Sequence, residues 1–132
     1  MAVTTTTRDH GSGEGKSIIY TLTAAGDVTP AIERWQWSDV SVQVDGTFGT
    51  ATVTIEGTNH DPNAINTADF PDYPAVWATL NDAQGNPLSA INAAKIEQML
   101  EGPRAIRVSV GGTGACTLKV IFFMRRNQPL RV

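Results

Sequence analysis

The sequence predicts an all-β protein, an antiparallel β-sandwich or jelly roll with a flexible amino-terminal arm. Two features indicate this fold: short runs in which apolar and polar residues alternate, and clusters of turn-forming residues between those runs. Alternation with a period of two is typical of a strand with one buried face and one wet face. Seven or eight such strands at this spacing favour a sandwich or jelly roll. The length of 132 residues fits one domain with a single core.

The two ends are expected to lie outside this domain. Residues 1–16 contain four consecutive threonines, followed by a glycine-rich stretch at 11–15. This composition buries too little apolar area to offset its ordering entropy, which predicts a mobile arm. The sandwich is expected to span residues 17–126, followed by a C-terminal tail at 127–132. Ends of this type either fray or become ordered on a neighbouring subunit.

Three strands are predicted in the first half of the domain. Residues 17–23 are rich in β-branched and aromatic residues, which favour strands. Apolar and polar residues then alternate at 40–45 and again at 51–56. Asp45-Gly46 and Gly49 lie between these two runs and favour a turn. The two runs are therefore expected to pair as a β-hairpin.

The middle of the chain is dominated by turn residues. Glycine, asparagine, aspartate and proline recur throughout residues 57–75, which predicts a long loop. A short strand at 76–80 and a turn at 81–87 follow. Residues 89–101 fit either a helix or a strand, and Gly102-Pro103 ends either one.

Alternation returns in the last third of the domain. It predicts a strand at 106–110, a hairpin turn at 111–114, and a long final strand at 116–125. The residues of the final strand that are expected to face the core are Cys116, Leu118, Val120, Phe122 and Met124.

Composition argues against several classes of protein. The formal net charge of −3 gives no electrostatic reason to bind nucleic acid. The single cysteine, Cys116, excludes an intrachain disulfide, which suits assembly in a reducing cytoplasm. The first residues lack the basic and apolar regions of a secretory signal, and no apolar run approaches the roughly 20 residues of a membrane helix. A soluble protein made in the cytoplasm is expected.

No group of residues indicates catalysis. The two histidines are His10 in the predicted arm and His60 in the predicted loop. His60 and the neighbouring aspartates at 61, 69 and 72 nominally offer metal ligands, but they lack the spacing of a calcium loop, and a solvated acidic loop is the better interpretation. Cys116 is interpreted as a small buried hydrophobe. A non-enzymatic protein without a metal or cofactor is therefore expected.

The tryptophans allow two interpretations. Trp35 and Trp37 are two residues apart and would share one face of a strand, and Trp77 follows the predicted loop. In a small domain at least two of the three are expected to fill the core, because large aromatic residues dominate core burial. The alternative is that they are exposed and stack on sugar rings.

Charge is distributed unevenly along the chain. Residues 36–94 contain seven acidic and no basic residues, whereas the segment after Glu101 contains six basic and no acidic residues. Antiparallel pairing that sets the two segments side by side would explain this pattern. A molecule with an acidic side and a basic side, suited to docking or self-association, is the alternative.

Several of these strand-and-turn patterns resemble small jelly-roll proteins of tailed-bacteriophage virions. The stretches concerned are WSDVSVQVDGTFG (37–49), TVTIEGTN (52–59), LNDAQGNPL (80–88) and PRAIRVSVGGTG (103–114). The resemblance implies a capsid decoration, or cement, protein that binds between subunits of the major capsid protein on the exterior of the expanded head. It also implies a homo-oligomer, a dimer or a trimer.

Under this resemblance the two ends of the chain are expected to reach neighbouring subunits. The residues assigned to partner binding are Thr4, Thr5, Thr6, Thr7, Arg125, Arg126 and Arg131. The same patterns are also similar to galactose-binding-like sandwiches, which implies as an alternative a carbohydrate-binding module of a phage tail or fibre. The residues assigned to sugar binding under that alternative are Asn59, His60, Asp61 and Trp77.

Overall fold

The computed structural model describes residues 3–11, 13–60 and 76–126, and these residues form nine β-strands and no helix. None of them therefore forms a helix long and apolar enough to cross a membrane. The strands are β1 (Val3–His10), β2 (Gly15–Ala24), β3 (Ile32–Glu33), β4 (Asp39–Thr47), β5 (Ala51–Thr58), β6 (Ala78–Thr79), β7 (Lys95–Gln98), β8 (Ala105–Gly112) and β9 (Ala115–Arg125).

The strands form two antiparallel sheets. One sheet has five strands in the order β1-β2-β9-β4-β7, and the other has four in the order β3-β8-β5-β6. β2 pairs with β9, β3 with β8, β4 with β7, and β5 with β6. This nested pairing is that of one long hairpin wrapped into two sheets, the arrangement of a jelly roll. The predicted all-β sandwich is confirmed.

The core lies between the two sheets. All five residues of β9 that were predicted to face inward are buried, and Phe122 is completely inaccessible. They pack against the alternating apolar residues of β4, β5 and β8, as period-two alternation predicts. Nearly every buried strand residue on these inner faces is apolar, so the core is held by apolar burial and close packing.

The predicted hairpin between the runs at 40–45 and 51–56 is wrong. β4 pairs with β7 and β9 in one sheet, whereas β5 pairs with β6 and β8 in the other. Residues 48–50 therefore cross from one sheet to the other, with Phe48 buried at the corner. The turn at 111–114 likewise joins β8 to β9 across the two sheets. Alternation shows which face of a strand is buried, but it does not show which strand lies beside it.

The prediction of a mobile arm over residues 1–16 is also wrong. Val3–His10 is strand β1, and it pairs with β2 over eight consecutive residues without a bulge. Backbone hydrogen bonds and the β-branched threonines favour this strand although it buries almost no apolar surface. Its far end is fixed where His10 Nε2 and Ser17 Oγ lie 2.8 Å apart.

The segment that fitted either a helix or a strand contains strand β7. Lys95–Gln98 pairs with β4, and the flanking residues are irregular. The predicted strand at 76–80 is shorter than expected, since β6 is Ala78–Thr79 alone. The predicted loop at 57–75 begins later than expected, because β5 continues to Thr58, and its residues 61–75 lie outside the described residues. The predicted tail at 127–132 also lies outside them.

Burial of Tyr20 makes the stability of the fold depend on pH in the alkaline range. The side chain is 3% exposed on the inner face of β2, and burial raises the pKa of Tyr20 to about 12. The folded protein therefore keeps the phenolic proton at pH values where the unfolded chain has lost it. Stability that is complete below about pH 10 is expected to fall by roughly 2 to 3 kcal/mol between about pH 10 and pH 12. Urea unfolding of the wild type and of Tyr20→Phe across this range measures the loss, which should be absent from the variant.

Candidate partner-binding surface

The two predicted partner-binding arginines that the structure describes lie at one end of the five-stranded sheet. Arg125 is the last residue of β9, opposite Gly15 of β2 and Asp39 of β4. Its Nη2 lies 3.6 Å from Asp39 Oδ2. Arg126 Nη2 donates a hydrogen bond to Gln36 Oε1 at 3.3 Å. Arg131 lies outside the described residues.

A tight turn at 34–37 lies at the same end of the sandwich. The backbone N–H of Trp37 donates to the carbonyl of Arg34 at 2.8 Å, which closes the turn. The next residue, Ser38, donates its backbone N–H to the carbonyl of Arg125 at 2.9 Å. The tip of the turn carries Trp35, whose side chain is 64% exposed. The turn that carries this exposed tryptophan therefore contacts both arginines, through Gln36 and Ser38.

The buried side chain of Arg34 holds this turn in place from the core side. Its side chain is only 6% exposed, and Nη2 donates to the carbonyl of Trp37 at 2.6 Å. Nη1 donates to the carbonyl of Pro103 at 3.4 Å, so one guanidinium joins the turn to the segment before β8. Burial lowers the pKa of Arg34, and the negative charge of Asp39 acts in the opposite direction. Gly102 leaves room for this guanidinium, because a Cβ at residue 102 would lie 2.7 Å from Nη1.

We call the surface formed by Trp35, Gln36, Arg125 and Arg126 the Trp35 end. Arg126 also lies over the ring of the buried Trp37, with its Cζ 5.2 Å from the ring centroid. Tryptophan and arginine are the residues most enriched among those that dominate protein–protein binding energy. A rigid turn lowers the entropy lost on binding, so this arrangement suits a docking surface.

Trp35 lies on the surface, which agrees with the alternative that the sequence left open and not with the favoured prediction. The spacing of Trp35 and Trp37 predicts that they share one face of a strand, and at least two of the three tryptophans were expected in the core. β3 ends at Glu33, and the turn that follows sends the two rings apart: Trp37 is 8% exposed and part of the core, whereas Trp35 is exposed. Trp77 is partly buried. The core expectation is therefore wrong, and no sequence pattern marked this turn.

The predicted threonine contacts are on a different part of the molecule. Thr4, Thr5, Thr6 and Thr7 are all exposed along β1, which forms one edge of the five-stranded sheet. β2 separates them from β9, and the β1 residue level with Arg125 is His10 rather than a threonine. The predicted partner-binding residues that the structure describes therefore lie on two separate surfaces, one at the Trp35 end and one along β1.

Part of the predicted sugar-binding set lines a cavity. Asn59 and His60 lie beside an open cavity of about 540 Å³, together with Leu80, Glu101 and Pro103. Asn59 is already engaged, because its Oδ1 accepts the backbone N–H of Arg104 at 3.2 Å. Asp61 lies outside the described residues. The cavity therefore unites two of the four predicted residues.

Trp77 does not line that cavity. The guanidinium of Arg107 lies over its ring at 4.3 Å from the centroid, and Arg107 Nε pairs with Glu56 at 3.0 Å. A cation–π contact of this kind occupies one face of the ring that a sugar would need for stacking. The geometry gives Trp77 a structural role beside the Glu56–Arg107 pair.

Two other predictions concern reactive groups. Cys116 is buried, as predicted, and burial raises the pKa of its thiol, with a further contribution from Asp27. A buried thiol of raised pKa is a poor nucleophile. Within residues 3–11, 13–60 and 76–126 no three metal-ligating side chains come together. The aspartates that were considered with His60 lie outside those ranges.

The uneven charge along the sequence is explained by strand pairing. Asp39 of β4 faces Arg125 of β9, and Asp45 faces Lys119 in the same pair of strands. Glu56 of β5 faces Arg107 of β8, with 3.0 Å between Glu56 Oε1 and Arg107 Nε. Acidic strands from the first half thus lie beside basic strands from the second half, which supports the pairing interpretation over two oppositely charged sides.

The chain matches no protein-family model and no curated protein at a significant level. What the protein does is therefore inferred from its own fold and surface.

Proposed function

We propose that this protein is a non-enzymatic structural protein of a tailed-phage virion, a capsid decoration or cement protein. It binds on the exterior of the expanded head between subunits of the major capsid protein, after synthesis in the host cytoplasm. The observation that carries this proposal is the Trp35 end, where an exposed tryptophan stands on a fixed turn beside Arg125 and Arg126. The fold also agrees with the resemblance to jelly-roll virion proteins.

The chemistry of the Trp35 end suits a protein partner. The indole of Trp35 offers a large apolar area together with one N–H donor. Arg125 and Arg126 offer planar donors that bind carboxylates or backbone carbonyls in two-pronged fashion. Because Arg34 and Trp37 already hold the turn in place, docking orders few additional groups.

Stabilising a capsid in this way needs no chemistry beyond binding. A protein that binds the assembled lattice and not its separated subunits shifts the equilibrium toward the lattice by mass action. Each copy that bridges two subunits adds contact area across a junction, and the effect multiplies over the many equivalent junctions of a head. The pressure of packaged DNA is thereby resisted.

Removing the Trp35 side chain tests the proposal. Binding of the purified protein to undecorated, expanded capsids of its parent phage is measured by co-sedimentation, with saturation curves for each variant. Trp35→Ala is expected to weaken binding by at least about 30-fold, the effect of losing a dominant interface residue of roughly 2 kcal/mol or more. Its melting temperature should stay close to that of the wild type, since the side chain is exposed.

Ile96→Ala is the matched control. Ile96 is 66% exposed, much like Trp35, but it lies on the edge strand β7. This variant is expected to bind capsids like the wild type. Failure of the wild type to co-sediment with capsids would contradict the proposed function. Equal weakening by both variants would show that a general loss of apolar surface, and not the Trp35 end, is responsible.

A carbohydrate-binding module of a phage tail or fibre is the second candidate. The observation that favours it is the open cavity lined by Asn59 and His60. A glycan array and a titration of tryptophan fluorescence with any sugar that binds separate the two functions. Binding to a glycan that is lost in Asn59→Ala, with no binding to capsids, would assign the protein to host recognition.

A further inference from the structure

Strand β1 forms an unusual edge for a sandwich of this size. The two sheets have four edge strands, and three of them are short: β7 has four residues, and β3 and β6 have two each. β1 has eight residues and pairs with β2 in one uninterrupted register. A long, regular edge offers a row of backbone donors and acceptors, which proteins normally blunt with short strands, bulges, prolines or lysines. β1 has no bulge, proline or lysine, and its charged side chains, Arg8 and Asp9, are confined to one end of the strand.

A backbone hydrogen bond at the end of the β2–β9 pair shows which backbone groups of β1 face its free edge. Arg126 donates its backbone N–H to the carbonyl of Glu14 at 3.0 Å, so the even-numbered residues of β2 direct their backbone groups toward β9. The odd-numbered residues of β2 then bond to β1, and these lie opposite the even-numbered residues of β1. The backbone groups of β1 that point outward are therefore those of its odd-numbered residues, Val3, Thr5, Thr7 and Asp9.

The side chains of β1 leave this edge accessible. Residues 4–9 are all exposed, although successive side chains lie on opposite faces of the strand. Four of these six side chains are threonines, which are β-branched and able both to donate and to accept a hydrogen bond. Nothing in the described part of the chain lies along the outer edge of β1.

We propose that β1 pairs antiparallel with β1 of a second copy of this chain, joining two five-stranded sheets into one continuous sheet about a two-fold axis. Two-fold symmetry restricts the register. In an antiparallel ladder, residues that face each other are either both hydrogen-bonded or both not, so a residue with outward backbone groups must face another such residue. The two-fold axis therefore lies level with one residue of β1, which faces its own copy, and not level with the midpoint between two residues.

The longest ladder that meets this condition has its axis at Thr6. Thr5 then faces Thr7 of the second copy, and Val3 faces Asp9, so all four outward residues bond, giving about eight backbone hydrogen bonds. On the other face of the new sheet, Thr6 faces Thr6 and Thr4 faces Arg8. Threonine hydroxyls opposite each other form favourable cross-strand pairs, and the Thr4 hydroxyl can accept from the guanidinium of Arg8.

Charge disfavours the registers that shift the axis toward the end of β1. An axis at Arg8 would set two guanidinium groups face to face, and an axis at Asp9 would do the same with two carboxylates. Like charges directly opposite each other across two strands are destabilising. The threonine run is thus the part of β1 that is complementary to itself, and a second copy is the occupant that this edge fits best.

Dimerisation does not depend on the proposed capsid function, but it would strengthen that function. A dimer carries two Trp35 ends, and once the first has docked, the second binds at a high effective concentration wherever the lattice spacing allows both to engage. The predicted threonine contacts then lie between copies of this protein instead of between the protein and the capsid.

Thr7→Pro tests the backbone pairing. Proline removes the N–H of residue 7, which points to the free edge, so the β1–β2 ladder loses no hydrogen bond and the fold is expected to remain intact. Sedimentation equilibrium of the purified full chain should give a dimer for the wild type and a dissociation constant at least 100-fold higher for Thr7→Pro. Thr7→Val, which keeps the N–H and the β-branched shape, should dimerise like the wild type. Unchanged dimerisation of Thr7→Pro, or a wild type that stays monomeric at millimolar concentration, would overturn the proposal.

A cysteine at the axis tests the register independently of stability. Residues that face each other without mutual hydrogen bonds have Cα atoms about 4.5 Å apart, within the range of a disulfide. Thr6→Cys should therefore form an intermolecular disulfide rapidly under mild oxidation. Thr4→Cys, which lies on the same face but opposite Arg8, should react at least tenfold more slowly. Equal rates for the two variants would exclude the Thr6 axis.

These results separate the dimer from the capsid function. A wild type that is monomeric but binds capsids would reject the dimer and leave the proposed function standing. A dimer that shows no affinity for capsids would support the pairing of β1 and reject the proposed function.

Discussion

Replacing Gly46 or Gly112 with alanine is expected to lower the free energy of unfolding by on the order of 4 kcal/mol, because each substitution adds backbone strain to a steric clash. Gly46 lies within β4 at φ +118°, and Gly112 ends β8 at φ +81°. L-residues rarely adopt either conformation. The loss is a large fraction of the stability of a domain of this size.

The clash at both sites involves backbone, which cannot move aside alone. A Cβ at residue 46 would run into the carbonyl oxygen of Thr117, the residue of β9 that faces Thr47 of β4. A Cβ at residue 112 would run into the carbonyl oxygen of Thr50, just before β5. Relieving these clashes requires paired strands to separate, β4 from β9 or β8 from the start of β5, next to the segments where the chain passes from one sheet to the other.

Gly26 and Gly85 provide the controls for strain without a clash. They have φ values of +91° and +88°, and a Cβ at either would meet nothing within 4 Å. Alanine at these positions is expected to lower the stability by about 1 to 2 kcal/mol, the ordinary penalty for a left-handed alanine. Urea unfolding followed by tryptophan fluorescence compares the four variants. Equal losses at all four sites would show that the strands yield easily and that contact with Thr117 and Thr50 is unimportant.

Strand positions and core residues could be predicted well from this sequence. Alternating apolar residues on β4, β5, β8 and β9 have one buried face, and a period of two records that burial directly. The partners of those strands could not be predicted in the same way. β4 and β5 are adjacent in sequence and joined by a short glycine-containing link, yet they belong to different sheets, because β4 pairs with β9 and β5 pairs with β8, strands that come much later in the chain.

The surface was harder to predict than the core. Burial leaves a periodic trace in the sequence, whereas an exposed side chain such as that of Trp35 is positioned only by a local turn and by the buried Arg34 that supports the turn. The composition of residues 1–16 predicted a mobile arm because their threonines bury little apolar surface. The structure has strand β1 there, because the edge of β2 supplies backbone hydrogen-bond partners that composition does not reveal. The exposed positions of Arg125 and Arg126 could be predicted, because charged residues at the end of an apolar strand mark where it leaves the core.

Arg34→Ala is expected to lower the free energy of unfolding by about 3 to 5 kcal/mol, because it leaves two buried carbonyls without donors and opens a cavity. The carbonyls are those of Trp37 and Pro103, which Arg34 joins through its two terminal nitrogens. One opposing effect reduces the loss: burial of the guanidinium is itself unfavourable, as its lowered pKa indicates. Arg125→Ala, at an exposed ion pair, should lower the stability by less than about 1 kcal/mol.

Arg34→Met separates packing from hydrogen bonding at this site. Methionine fills most of the volume and removes the buried charge, but it offers no donor to the two carbonyls. If the hydrogen bonds dominate, Arg34→Met is expected to be nearly as unstable as Arg34→Ala. If packing dominates, it should recover most of the lost stability in urea unfolding.

The same variant decides whether Arg34 positions Trp35. In Arg34→Met the turn at 34–37 keeps its own backbone hydrogen bond but loses its anchor to Pro103. Capsid binding measured at a temperature where the variant is fully folded should then weaken at least tenfold, while dimerisation through β1 stays unchanged. Because β1 lies on a different edge, loss of both activities together would indicate general unfolding, and retention of full capsid binding would show that Trp35 needs no support from beneath.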